Sequence, residues 1–154
     1  MSLTPADWHQ RFVQQAQWTQ DLRAYLYPKA GIDEANRILD LGCGTGALWE
    51  EIQNRSQATL VGLDHHLPHL RWARQTGGAV LVLGNVHQLP HQDDSFDVSL
   101  FHFTLMWLKD PQQALQETKR VTRPGGAVLA LAEPDYGGRI DYPPKLEKLG
   151  RWQT

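Results

Sequence analysis

The chain has 154 residues, 41% apolar and 21% charged, with a formal net charge of -2. That length supports one domain burying roughly 68–70% of its unfolded surface. The ordinary apolar share excludes a disordered chain, and the near-neutral charge gives no pull toward a nucleic-acid backbone or an anionic membrane. A single cysteine, Cys43, excludes an internal disulfide and fits a reducing, cytoplasmic setting. No apolar signal core opens the chain, and no run approaches the roughly eighteen apolar residues of a membrane span, so no membrane partner is expected.

Thr4, Pro5 and Asp7 read as a helix N-cap, a first-turn proline and a first-turn acid. Behind them Trp8, Phe12, Ala16, Thr19, Leu22 and Leu26 recur at three- and four-residue intervals. This spacing predicts one continuous helix that ends before Pro28. Residues 1–30 are therefore expected as a helical segment ahead of an α/β core over 31–154. Six tryptophans are assigned mostly to the core and to helix packing, with one or two left for a ligand pocket.

From Arg37 the pattern changes to short apolar runs: 37–41, 58–63, 79–83, 96–101 and 126–132. Their near-continuous Val, Leu and Ile content suits parallel strands buried on both faces. Helical stretches over 47–54, 67–75 and 111–121 lie between them, the last with Asp110 as N-cap and Pro111 in the first turn. Arg123-Pro124-Gly125-Gly126 supplies a tight turn. Strand–helix alternation on this spacing predicts a doubly wound, mostly parallel sheet with right-handed crossovers. Ligands on such sheets sit at the carboxyl ends of the strands, near the point where strand order reverses.

The first strand runs into Asp40-Leu41-Gly42-Cys43-Gly44-Thr45-Gly46-Ala47. Glycines let a backbone turn sharply and let a ligand approach closer than a Cβ permits. The helix expected next offers free N–H groups to an anion. Gly42, Gly44 and Ala47 also satisfy the G-x-G-x-x-A dinucleotide pattern, so a nicotinamide or flavin enzyme is the natural rival reading. Asp40 opposes it, because a carboxylate two residues before the first glycine repels a diphosphate. The same acid favours a ligand that carries a cation and no phosphate.

Residues 38–46 resemble the first motif of class I S-adenosylmethionine-dependent methyltransferases nearly letter for letter. The resemblance continues through Val61-Gly62-Leu63-Asp64, Leu89-Pro90, Asp93-Asp94-Ser95-Phe96-Asp97-Val98 and Arg120-Val121-Thr122-Arg123-Pro124-Gly125-Gly126. These blocks keep the family's order over about residues 37–133 and are similar to its small-molecule branch, which includes ubiquinone- and menaquinone-type enzymes. The resemblance implies a Rossmann-like fold, S-adenosylmethionine as cofactor and a small-molecule methyl acceptor. Besides Asp40, it implies cofactor contacts from Gly42, Cys43, Gly44, Asp64, His65, Asn85, Val86 and His102.

Asp64 stands 18 residues after Gly46 and can accept from both ribose hydroxyls, or else cap a helix. Asn85 holds the place where the family usually has an acid for the adenine amino group; its amide oxygen can accept that bond uncharged. Val86 and Leu89 are expected on the adenine faces. His102, after the fourth strand, is placed by the resemblance beside the methyl group, where it is the first candidate general base. A strand-end histidine bonded to backbone is its alternative. Tyr136 is the second candidate. The histidine pairs His65/His69 and His87/His91 have no third ligand at metal spacing, so no metal is expected. The base-amino methyltransferase signature Asp/Asn-Pro-Pro-Tyr/Phe is absent after the fourth strand, which argues against a nucleic-acid partner.

The family's sheet ordinarily has seven strands, and five are legible here. The expectation is a chain truncated before the last hairpin, or a partner, such as a second copy in a homodimer, covering the edge of the fifth strand. A truncated or degenerate cofactor-binding module without turnover is accordingly a second functional reading.

Overall fold

Five strands pair side by side in one parallel sheet in the computed structural model, which describes residues 3–133. They are β1 Arg37–Leu41, β2 Thr59–Asp64, β3 Ala79–Leu83, β4 Phe96–His102 and β5 Thr122–Leu131, in the order β3-β2-β1-β4-β5. Strand order reverses at β1, so β1 and β4, direct neighbours, send their chains to opposite sides of the sheet. The crevice between their carboxyl ends is the switch point at which such sheets bind ligands.

The central strands are buried almost throughout, and successive side chains alternate between two cores, as a pleated strand requires. Ile38, Leu60, Val98 and Leu100 pack with Trp49, Ile52, Leu70 and Tyr27 on one face. Leu39, Leu41, Val61, Leu63 and Phe101 pack with Ala114 and Val121 on the other. Three helices cover the sheet: α3 Trp49–Arg55, α4 Leu67–Thr76 and α5 Pro111–Val121. Among the described residues β3 and β5 form the edges, with Val80, Leu83 and Val128 exposed along them.

β5 departs from expectation. Its pairing with β4 begins at Thr122, opposite Phe96, and resumes at Ala127, opposite Val98. Between these pairs one residue of β4, Asp97, faces four of β5, and Arg123–Gly126 bulges out of the ladder instead of preceding the strand as a turn. Asp97 anchors this irregularity. Its Oδ2 accepts from the N–H groups of Asn36 and Arg37 at 2.8 Å, and its Oδ1 accepts from Arg123 Nε at 2.6 Å.

The helical N-terminus also differs. The capping box of Thr4 and Asp7 forms as expected, but there are two helices, α1 Pro5–Trp18 and α2 Gln20–Lys29, with Pro28 inside the second. Helical geometry is lost at Thr19, where φ is -118° and ψ is 15°. The break resets the inward face, so Arg23 and Tyr27 are buried while Leu22 is exposed. Of the described tryptophans only Trp49 is fully buried, and Trp18 and Trp107 lie largely in solvent.

Gly62 of β2 is where the backbone comes closest to Trp49. A Cβ there would collide with Trp49 Cζ2 and lie 3.0 Å from Cys43 Sγ. Gly62→Ala is expected to lower unfolding stability by about 1–3 kcal/mol through overpacking. Chemical denaturation with an unchanged m-value checks this.

Candidate functional site

The loop after β1 is drawn down onto the end of β2. Gly42 N and Cys43 N both donate to Leu63 O, at 2.8 and 3.1 Å, and Gly44 N donates to Asp64 Oδ2 at 2.8 Å. Gly46 N bonds back to Cys43 O at 2.9 Å, and the helix begins only at Trp49, a few residues later than expected. Four of the loop's amides are therefore already donated within the protein. A cradle for a diphosphate requires such groups to be free.

Asp40 lies beneath this loop, not on its open face. It is 3% exposed and accepts from Trp49 Nε1 at 2.9 Å. Burial, opposed in part by that bond and reinforced by the neighbouring Asp64, pushes its carboxyl up to about 7. Cys43 is buried beside Asp40, and burial pushes its thiol up as well.

Asp64, buried at the end of β2, holds the loop. Its Oδ1 accepts from His66 N at 2.7 Å while its Oδ2 holds Gly44 N. A carboxylate offers about four lone-pair sites, so each oxygen keeps one beyond these bonds. His65 lies beside it with Nδ1 3.7 Å from Oδ1 and its side chain 88% exposed.

Two expectations for the adenine side change. Asn85 Oδ1 accepts from both His87 N and His87 Nδ1, at 3.0 and 2.8 Å, closing a local turn. Its amide NH2, not its oxygen, is the group left to offer. Val86 and Leu89 are not on an open face: both are buried in the core with Phe96 and Ala114, because Glu117 and Arg120 of α5 bind the backbone of Leu89 and pull this segment inward.

At the methyl side, Glu133 accepts from Thr104 N at 2.7 Å and from Met106 N at 3.2 Å, fixing the turn after β4. This sets the Thr104 side chain against Gly42, where a Cβ would lie 2.5 Å from Thr104 Cγ2. His102 is not bonded to backbone; its Nε2 meets Thr19 Oγ1 at 2.9 Å. Burial, with Arg23 nearby, pulls its imidazolium down to about 4, so the ring is neutral near pH 7 and a weak base. Tyr136 lies outside the described residues.

Sequence reasoning missed the contribution of α1. Phe12 packs its ring on Gly44, about 3.0 Å from where a Cβ would stand, and His9 Nδ1 meets Thr45 Oγ1 at 2.9 Å. Trp8, Phe12 and His66 surround His69 with edge-on rings. Among the described residues no three His, Cys, Asp or Glu side chains gather as a metal site. No helix among them is long and apolar enough to cross a membrane.

A methyltransferase domain model matches residues 39–130. This chain belongs to the class I S-adenosylmethionine-dependent methyltransferases. It is 37% identical over 128 residues to a demethylmenaquinone methyltransferase of Lactiplantibacillus plantarum, covering 75% of this chain and 50% of that protein. It is 33% identical over 123 residues to a malonyl-[acyl-carrier protein] O-methyltransferase of Pseudescherichia vulneris, covering 77% of this chain and 47% of that one. The chain thus spans about half the length of these two relatives. Its fold is shared with a solved Methanococcus maripaludis protein at a TM-score of 0.70 and 18% identity, over 84% of this chain and 64% of that one.

The raised proton affinity of Asp40 predicts a stability that depends on pH. An acid whose carboxyl rises on folding binds its proton more tightly in the folded state, so stability falls as pH climbs from about 4 to about 7. Asp40→Asn removes that loss and keeps an acceptor for Trp49 Nε1. The variant is expected to match the wild type near pH 3 and to exceed it near pH 8 by on the order of 2–4 kcal/mol. Thermal unfolding of both proteins at the two pH values is the measurement.

Proposed function

We propose that this chain binds S-adenosylmethionine in the crevice between β1 and β4 and transfers its methyl group to a small molecule. The carrying observation is the donor and acceptor balance of the glycine loop. Its amides at Gly42, Cys43, Gly44 and Gly46 are spent inside the protein, while the carboxylates of Asp40 and Asp64 stand beneath and beside it. That balance suits a phosphate-free nucleoside bearing positive charge and disfavours a dinucleotide. The residues present therefore fit this cofactor.

Asp64 would hold the ribose hydroxyls, Asn85 would offer its amide to the adenine edge, and His65 would flank the adenosine. When bound, the cofactor supplies a methyl group already activated by its sulfonium. The chain's own work is alignment and exclusion of water, from which much of a displacement's rate can come. Phe12, lying on Gly44, serves the second task. His102, neutral and tied to Thr19, suits holding a partner in place better than taking its proton. The small-molecule acceptor rests on the two relatives whose names specify demethylmenaquinone and malonyl-[acyl-carrier protein].

Titration calorimetry tests the reading. S-adenosylhomocysteine is expected to bind and NAD is not; binding of NAD alone would overturn it. Asp64→Ala removes the ribose acceptor along with the bonds from Gly44 and His66. It is expected to weaken S-adenosylhomocysteine at least tenfold and to lower the unfolding midpoint, since hydrogen bonds to a charged acceptor contribute about 1.5–3 kcal/mol each. An affinity within twofold of wild type would remove Asp64 from the site. Turnover against a panel of small acceptors then separates an enzyme from a binding module.

A further inference from the structure

Arg23 uses its guanidinium in three directions from a position 2% exposed. Its Nε and Nη2 reach Glu51 Oε2 on α3, at 2.8 and 2.7 Å. Its Nη1 donates to Ala16 O at the end of α1 and to Thr19 Oγ1 in the helix break, both at 2.7 Å. Thr19 Oγ1 in turn meets His102 Nε2 at 2.9 Å, at the carboxyl end of β4. One side chain thus joins the α1–α2 corner, the helix behind the glycine loop and the strand end beside the methyl position.

Stability alone does not call for this arrangement. A buried ion pair gives back in desolvation much of what it gains, and well-packed apolar residues at the same place are often as stabilising or more so. A leucine or methionine facing inward from α2, beside Tyr27, would close the core with less demand on geometry. What an apolar residue lacks is direction. The planar guanidinium presents donors at fixed angles, and here each has an acceptor.

We propose that Arg23 is a positioning residue of the cofactor site: it orients Thr19, and through Thr19 the His102 ring, while pinning α1 across the glycine loop. This rests on the reading that Gly44, Asp64 and His102 line the cofactor. Because Arg23 can only donate, it occupies one lone pair of Thr19 Oγ1. The hydroxyl proton then lies between Ala16 O at 3.3 Å and His102 Nε2 at 2.9 Å. On this proposal the nearer atom, His102 Nε2, accepts that proton in preference to Ala16 O, and the ring proton stays on Nδ1. Pinning α1 also keeps Phe12 on Gly44 and His9 on Thr45, contacts that a loosened corner would release.

The test uses the full chain labelled with 15N-histidine, alongside Arg23→Met, Arg23→Lys and Thr19→Val. In the wild type, His102 Nε2 is expected to show the shift of an unprotonated acceptor and Nδ1 that of a protonated nitrogen. Arg23→Met is expected to move those signals toward a mixed tautomer and to weaken S-adenosylhomocysteine at least tenfold. Arg23→Lys should restore part of the affinity. Thr19→Val leaves the Arg23–Glu51 pair intact and should reproduce the change at His102, so it decides the matter should Arg23→Met fail to fold. Unchanged His102 signals in Thr19→Val, or affinity within twofold of wild type in both Arg23 variants, overturns the proposal. Failure of the wild type to bind S-adenosylhomocysteine would instead remove the cofactor reading, while the nitrogen signals still decide whether Arg23 governs His102.

Discussion

A carboxylate without a counter-charge sits beneath the glycine loop, and much of the site follows from it. Asp40 is held by one hydrogen bond from an indole and is surrounded by apolar atoms, with a second carboxylate, Asp64, close enough to raise its proton affinity further. Burying such a group opposes folding wherever it is charged. Its position is set by packing. Trp49 reaches Asp40 because Gly62 lets the indole lie flat against β2, and Trp49 is the first residue of the helix into which the loop turns. The loop, the indole and the acid form one stack, and a cation above the loop would be the charge that the stack lacks.

The same loop shows why a shared glycine pattern does not imply a shared ligand. A dinucleotide site leaves its amides free for phosphate oxygens. Here the end of β2 takes three of the loop's amides: Leu63 O accepts two and Asp64 accepts the third. Asp64 is therefore a structural clamp before any ligand arrives, with both oxygens engaged by backbone and lone pairs to spare. A carboxylate already fixed by two N–H donors has little orientational freedom left to lose when it meets a pair of hydroxyls.

Much of the sheet was legible in the sequence. β1 and β3 coincide with the apolar runs that announce them, and the caps at Thr4 and Asp110 form as their residue types indicate. Local rules governed those elements. Errors arose where a distant partner decided the outcome. Thr19 fits a helical period, so one helix was expected; the break there accompanies hydrogen bonds with Arg23 and His102, the latter 83 positions away. Val86 and Leu89 read as free apolar residues until α5, almost thirty residues later, binds the Leu89 backbone and draws them into the core. Asn85 was read by its chemistry alone, and the neighbouring His87 claims its oxygen. The glycine loop, Asp40 and Asp64 were legible because motif order carries them. Phe12, Thr104 and Glu133 carried no local signal, since each acts on a glycine or an amide that is remote in sequence.

These remote contacts share a direction. The N-terminal helix comes back to the loop after β1, the break between α1 and α2 comes back to the end of β4, and Glu133 comes back to the turn after β4. Each converges on the carboxyl ends of β1 and β4, the one place where a doubly wound sheet leaves a gap between diverging connections. A parallel sheet alone provides that gap but does not shape it. The side chains that shape it here are polar or aromatic and come from segments on both sides of the sheet in sequence. Removing one therefore loosens a wall of the crevice without opening the core, and binding can change while the fold stays intact.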